Sequence, residues 1–274
     1  MQSSRHPARP VARERSEEDT VVRTEMRRDG GHLRLVIDQP KANIVSIAVM
    51  QALRGALAGV RTSPGIRLVT IEGAGDHFSY GASVEEHRPG VIRAALDELH
   101  GLVRDLMDVP APTAALVRGR CLGGGFEVAL ACDLIFAGTT AMLGVPEVSL
   151  GVFPPAAAAL LPLRVGATRA ASAVLTGRTV SAETWAAAGL IELTAPPQEL
   201  EAAVDHWFDA HLAPRSAVAL GCAALATRAT IRRQLDTVLP ELETLYLDTL
   251  MRSRDAVEGI EAFLEKRPPV WSHG

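Results

Sequence analysis

The sequence has only 3 cysteines in 274 residues, Cys121, Cys132 and Cys222. An odd number without Cys-x-x-Cys spacing excludes a disulfide framework and a cysteine zinc site, and it fits a reducing compartment. Basic charge is not in excess either. The formal net charge of −4 gives nucleic acid little to hold. No apolar run is long enough to cross a bilayer: the charge-free stretch between Glu147 and Arg164 is short, and Pro154, Pro155 and Pro162 interrupt it. The N-terminus has no apolar core of the kind a secretory signal needs, and Glu14, Glu17, Glu18 and Asp19 do not suit an Arg-rich transit peptide. Neither a P-loop nor G-x-G-x-x-G is present, so nucleotide hydrolysis and dinucleotide redox chemistry find no support. The expectation left standing is a soluble cytoplasmic protein. Its 47% hydrophobic and 22% charged residues are ordinary for a globular chain that can bury a substantial core.

Residues 1–20 mix Arg, Pro, Ser and acids with little to bury and read as a mobile tail. Val21 to Arg28 and His32 to Ile37 read as strands joined through Asp29-Gly30-Gly31. A helix is expected from Ser46 to Arg61, a buried strand over Arg67 to Ile71, and a loop through Gly73, Ala74 and Gly75. The grammar repeats: a helix from Val91 to Met107, a strand over Thr113 to Val117, a glycine-rich loop, a helix containing Glu127, and a strand over Leu134 to Ala137. Such units predict an α/β fold with ligands gathered at loops beyond strand ends, so the loops 73–82 and 118–125 are expected to border one crevice. After about Ala213 strand signals cease. Helices are expected over Ala217 to Leu239 and Leu242 to Arg254, separated by Pro240, and over Ala256 to Glu265. This divides the chain into a tail (1–20), a core carrying the site (21–212) and a helical C-terminal region (213–274).

The chain is organised around Cys121-Leu122-Gly123-Gly124-Gly125-Phe126-Glu127. Three glycines admit backbone angles and close approaches that a Cβ blocks. A helix starting there aims unpaired N–H groups at whatever sits above them, with Glu127 beside those donors in the first turn.

Several motifs now stand together in the order of the enoyl-CoA hydratase/isomerase (crotonase) superfamily. Phe78-Ser79-Tyr80-Gly81-Ala82-Ser83 resembles its F-S-A-G-A-D loop, and Arg118 to Glu127 resembles its N-G-x-A-x-G-G-G-x-E element. Ala131-Cys132-Asp133, completed by Ala137, is similar to the A-x-D-x-x-x-A that follows. Gly144-Val145-Pro146-Glu147 to Gly151 resembles G-x-P-E-x-x-x-G, and Ala262 to Arg267 resembles the A-F-x-E-K-R ending. The resemblance covers roughly residues 21–270. It implies a spiral of ββα units with a C-terminal helical trimerisation region, assembled as a homotrimer or a dimer of trimers. It implies an acyl-CoA substrate, no metal, and no cofactor beyond the coenzyme A of the substrate. Carried over by position, the backbone N–H groups of Ala82 and Gly124 would form an oxyanion hole for the thioester enolate, where fixed donors stabilise developing charge most. Glu127 and Glu147 would share the acid/base work of hydration. Glu127, at a helix start, is assigned to water and Glu147, in apolar surroundings, to proton donation, though the two could be exchanged.

Departures from the pattern point to the substrate. Ser83 stands where the family has Asp, and Val152-Phe153-Pro154-Pro155 with Ala156 to Ala159 replaces a glycine-rich segment. Together these are similar to the cyclohexa-1,5-diene-1-carbonyl-CoA hydratases, which implies a cyclic dienoyl thioester and a broad pocket lined by Tyr80, Ser83, His87, Val152, Phe153 and the alanines. Glu85, Glu86 and His87 otherwise read as a charged helix start at the pocket mouth, and His100 as a packing residue. Coenzyme A is expected at Lys41, Ala42, Gly81 and the loop near Gly75, with Phe263 and Lys266 contributed by a neighbouring subunit. A hydratase or isomerase of linear enoyl-CoA uses the same glutamates and stays open, as does a non-catalytic CoA-binding or scaffold homologue.

Overall fold

The computed structural model describes residues 20–40 and 42–274. The expected tail, save its last residue, and Lys41 lie outside the described residues. Strands β1 (Val22–Arg27) and β2 (His32–Ile37) pair antiparallel, with Arg27 opposite His32. The turn between them passes through positive φ at Arg28, Asp29 and Gly30. Helix α1 (Ile47–Val60) starts at Ser46, whose Oγ accepts from the Val49 N–H, and leads to β3 (Leu68–Gly73). Gly73 is therefore strand rather than loop. A Cβ there would lie 2.2 Å from the His77 carbonyl oxygen, because the following loop folds straight back over it.

The next units are α2 (Ile92–Asp108), β4 (Thr113–Val117), β5 (Arg120–Leu122) and α3 (Gly124–Ala131), then β6 (Leu134–Gly138), β7 (Met142–Gly144) and α4 (Pro155–Val165). A long strand, a short strand and a helix thus recur as ββα turns of a spiral. After α5 (Ala167–Thr176), β8 (Val180–Ser181), α6 (Ala182–Ala187), β9 (Leu193–Ala195) and α7 (Leu200–His211), only helices follow: α8 (Ala217–Thr244) and α9 (Arg254–Leu264). One sheet has the order β1-β2-β3-β4-β6-β9, parallel from β2 onward, and β5-β7-β8 form a second, smaller sheet. β2, β3 and β4 are buried along their whole length, as strands covered on both faces are.

Helix α8 runs unbroken through Pro240, against the two helices expected there. Proline removes one helical hydrogen bond, to the Asp236 carbonyl; both residues lie on the exposed side, where water replaces the lost donor. The interruption comes later, as a π-helical turn (Leu245–Thr249) and a 3₁₀ turn (Leu250–Arg252). α8 is pinned from inside. Buried Arg228 donates to Asp133 Oδ1 (2.7 Å) and to the carbonyls of Val109 (2.6 Å) and Ala111 (2.8 Å). α9 packs on the 3₁₀ turns Glu85–His87 and Pro146–Leu150 of its own chain, so the C-terminal region covers its own core. Among the described residues no helix is long and apolar enough to cross a membrane.

Candidate active site

The loop after β3 and the segment after β4 are laced together. Ser79 N–H donates to Arg120 O (3.0 Å), Leu122 N–H to Ser79 O (3.0 Å), and Phe78 N–H to Arg118 O (2.9 Å). Buried Asn43 locks the loop's far side, its amide donating to the carbonyls of Ala74 and His77 (2.9 Å each). Gly81 and Ala82 are thereby set against Leu122 to Gly124. A Cβ on Gly124 would sit 3.0 Å from Ala82 Cβ and 3.2 Å from Ala82 N. Gly123, at φ 48°, has less room still, because its Cβ would lie 2.6 Å from Glu147 Oε1. Among the described residues neither the Ala82 nor the Gly124 N–H has an acceptor. The two amides expected to act together are neighbours, and both line one cleft of about 930 Å³.

Glu127 and Glu147 line the same cleft. Glu127, from the first turn of α3, is buried and accepts from the Ala157 N–H (2.9 Å), with the Ala156 N–H also on its carboxylate. These donors come from the start of α4, which Pro155 opens at its first position. Burial nevertheless raises Glu127 to a pKa of about 7. Glu147, in the turn Pro146–Leu150, is pushed well above the carboxylate range, first by desolvation and then by the charge of Glu127. Its Oε2 is buried without a partner. The pair is thus arranged for the first proton to leave Glu127 while Glu147 keeps its own. At the other end of α3, Arg164 caps the carbonyls of Leu130 (2.9 Å), Cys132 and Asp133, holding the helix that carries Glu127.

The other expected residues divide. Tyr80, Gly81, Ser83, His87 and Phe153 line the cleft. Tyr80 rests edge-on against His77 (5.0 Å between ring centres). The Ser83 carbonyl lies 2.7 Å from His87 Nδ1, and burial lowers the His87 pKa. Ile92, Ala95, Leu96 and Leu99, on one face of α2, complete an apolar wall. Val152 is not part of the lining. It is buried with Ile92, Leu96, Tyr246, Ala256 and Ile260, its N–H held by the Glu147 carbonyl (3.2 Å) at the end of the turn Pro146–Leu150. Ala156, Ala157 and Ala159 are likewise interior packing rather than pocket wall; Ala157 serves the site through its N–H.

Ala42 lies one layer back, its carbonyl accepting from the Tyr80 N–H (3.0 Å), and Gly75 is not in the lining. Phe263 lines the cleft of its own chain, where α9 folds back over the site. Lys266 is exposed and outside the lining, and the next residue but one from Glu265, Arg267, reaches the cleft instead. His100 is a packing residue bonded through Nδ1 to Glu243 (2.5 Å). Sequence patterns missed Asn43 and Tyr246. The latter sits inside an expected helix, and its one signal was composition: the chain has 2 tyrosines, and both line the cleft.

The family model described as enoyl-CoA hydratase/isomerase matches residues 28–274. A cyclohexa-1,5-dienecarbonyl-CoA hydratase of Thauera aromatica is 45% identical over 262 residues, spanning 94% of this chain and 99% of the relative. A probable enoyl-CoA hydratase of Bacillus subtilis is 31% identical, with 86% and 93% covered. The crystal structure of an enoyl-CoA hydratase from Mycobacterium avium subsp. paratuberculosis superposes with a TM-score of 0.81 at 30% identity, covering 92% of this chain and 99% of that one. The chain belongs to the enoyl-CoA hydratase/isomerase family.

Proposed function

We propose that this chain, a hydro-lyase of the enoyl-CoA type, adds water to cyclohexa-1,5-diene-1-carbonyl-CoA. The observation that carries the reading is a pair of buried carboxylates with unlike proton affinities on the wall of an apolar cleft, beside two free amides. The similarity to the Thauera aromatica hydratase supports the cyclic substrate, as does the wall of Ile92, Ala95, Leu96, Leu99 and Phe153, which suits a ring.

In this reading the thioester oxygen sits between the N–H groups of Ala82 and Gly124. Glu127, ionised, takes a proton from water, and the oxygen bonds to the ring's β-carbon. Charge flows into the thioester and is stabilised by the two amides as it develops. The resulting dienolate takes a proton from Glu147 at the far end of the remaining double bond, which moves into conjugation with the thioester. The product is 6-hydroxycyclohex-1-ene-1-carbonyl-CoA. The groups assigned are the ones whose surroundings separate their protonation states, which favours this order over the exchanged one. Coenzyme A enters only as part of the substrate, with Gly81 and Phe263 at the cleft, and the residues require no metal. Assembly as a homotrimer or dimer of trimers in the cytoplasm belongs to the same reading.

The test is incubation with cyclic dienoyl-CoA and crotonyl-CoA in deuterated water, followed by mass spectrometry and NMR. Preference for the ring, with one deuterium at the ring carbon remote from the thioester, is expected. A strong preference for crotonyl-CoA would refute the ring assignment and leave linear enoyl-CoA hydration.

A further inference from the structure

Among the described residues three side-chain oxygens on the cleft wall are buried without a hydrogen-bond partner, Gln39 Oε1, Glu147 Oε2 and Tyr246 Oη, and the last two belong to one end of it, where the charge of Glu147 acts on the phenol. Tyr246 is only 1% exposed, in a cluster with Ile92, Leu96 and Ile260, and its ring meets Phe153 edge-on at 5.4 Å. Phenylalanine would serve that packing equally well. A buried hydroxyl with nothing to bond costs about 1–3 kcal/mol, so its presence calls for a partner from the cleft rather than from the protein. The backbone here is also irregular: Tyr246 lies in the π-helical turn that ends α8, a feature common at functional sites. Burial, then the charges of Glu127 and Glu147, hold the phenol far above its usual range, so it remains a donor. Tyr246 lines the same cleft as Glu127 and Glu147, and the hydroxyl and Glu147 Oε2 do not bond each other.

We propose that Tyr246 is a further catalytic residue, whose hydroxyl donates a hydrogen bond to the oxygen that enters as water and leaves as the product hydroxyl. The inference rests on the hydration reading above. No proton leaves Tyr246: Glu127 receives the proton of water and Glu147 supplies the one bound to carbon. The phenol fixes where the oxygen stands between them.

The experiment compares wild type with Tyr246→Phe in the full chain. Turnover is measured on the cyclic dienoyl-CoA, and affinity for the hydroxylated product is measured against affinity for cyclohexanecarbonyl-CoA, which lacks the hydroxyl. A fall in kcat of roughly 10–100-fold, with KM within about twofold, is expected from loss of one positioned donor. Affinity for the hydroxylated thioester should drop about tenfold while affinity for cyclohexanecarbonyl-CoA stays put. Equal losses for both ligands, or none for either, would overturn the proposal. Crystals of wild type with the hydroxylated thioester give a reading independent of how the variant folds. The product hydroxyl within about 3.2 Å of Tyr246 Oη supports the role, and a greater separation ends it. Wild-type turnover of the ring substrate is scored first. Its absence sinks the ring reading alone, and Tyr246 is then judged by the same comparison on crotonyl-CoA, with 3-hydroxybutyryl-CoA and butyryl-CoA as the ligand pair.

Discussion

Glu127 and Glu147 are the same residue type in one cleft, and their surroundings set them apart. Glu127 keeps two backbone donors from α4, whereas Glu147 has a buried oxygen with none and a neighbouring anion. In the proposed mechanism the active form is therefore the singly protonated pair. We predict a bell-shaped dependence of kcat/KM on pH, rising to about 7 as Glu127 ionises and falling at higher pH as Glu147 does. The same shift bears on stability. The folded-state pKa of Glu127 lies above the unfolded value of 4.5, so its contribution is intact below 4.5 and is lost as pH rises through about 7. Glu127→Gln should therefore stabilise the fold at pH 8 by up to about 3 kcal/mol, with little gain at pH 5, while abolishing most turnover. Thermal melts at the two pH values check it; equal melting shifts at both would contradict the raised pKa.

Among the elements, those written in local pattern were legible. The hairpin has its Asp-Gly-Gly turn, α1 its Ser46 cap, and β4 an unbroken apolar run. The short strands β5, β7 and β8 were not, because two or three residues carry no periodicity and their pairing is set at long range. Pro240 misled, since proline on an exposed helical face costs one water-replaceable bond rather than the helix. Val152 misled too: the segment does reach the cleft, through Phe153, while Val152 is buried in the interior. Asp133, known only as part of a motif, proves to be an anchor. It accepts from the Thr113 N–H (2.8 Å) and from Arg228. Arg228→Met would strip half-buried Asp133 of its cation, leaving it only Thr113, and two buried carbonyls of their donor, and we expect a loss of about 3–5 kcal/mol. Calorimetry should show melting lowered by about 10 °C; an unchanged melting temperature would mean that α8 is held by apolar packing alone.

At the scale of the molecule, the site is assembled from turns far apart in sequence. The loop after β3 brings Ala82, α3 begins with Gly124 and carries Glu127, the turn after β7 brings Glu147, and the C-terminal helices close over all of them with Tyr246 and Phe263. The motif positions made the first four legible, because the close approaches demand glycine and alanine and the chemistry demands carboxylates. The C-terminal contribution was not, because helical periodicity says which residues are buried but not which cavity they face. The central claim is that main-chain amides from two separate turns polarise one thioester oxygen. Isotope-edited infrared spectroscopy of cyclohexanecarbonyl-CoA labelled with carbon-13 at the thioester carbonyl tests it most directly. The account predicts that the carbonyl stretch moves to lower frequency on binding to wild type and that Gly124→Ala, whose methyl group would wedge against Ala82, abolishes most of that shift. A bound carbonyl that absorbs where the free thioester does, or a shift that Gly124→Ala leaves intact, would contradict it.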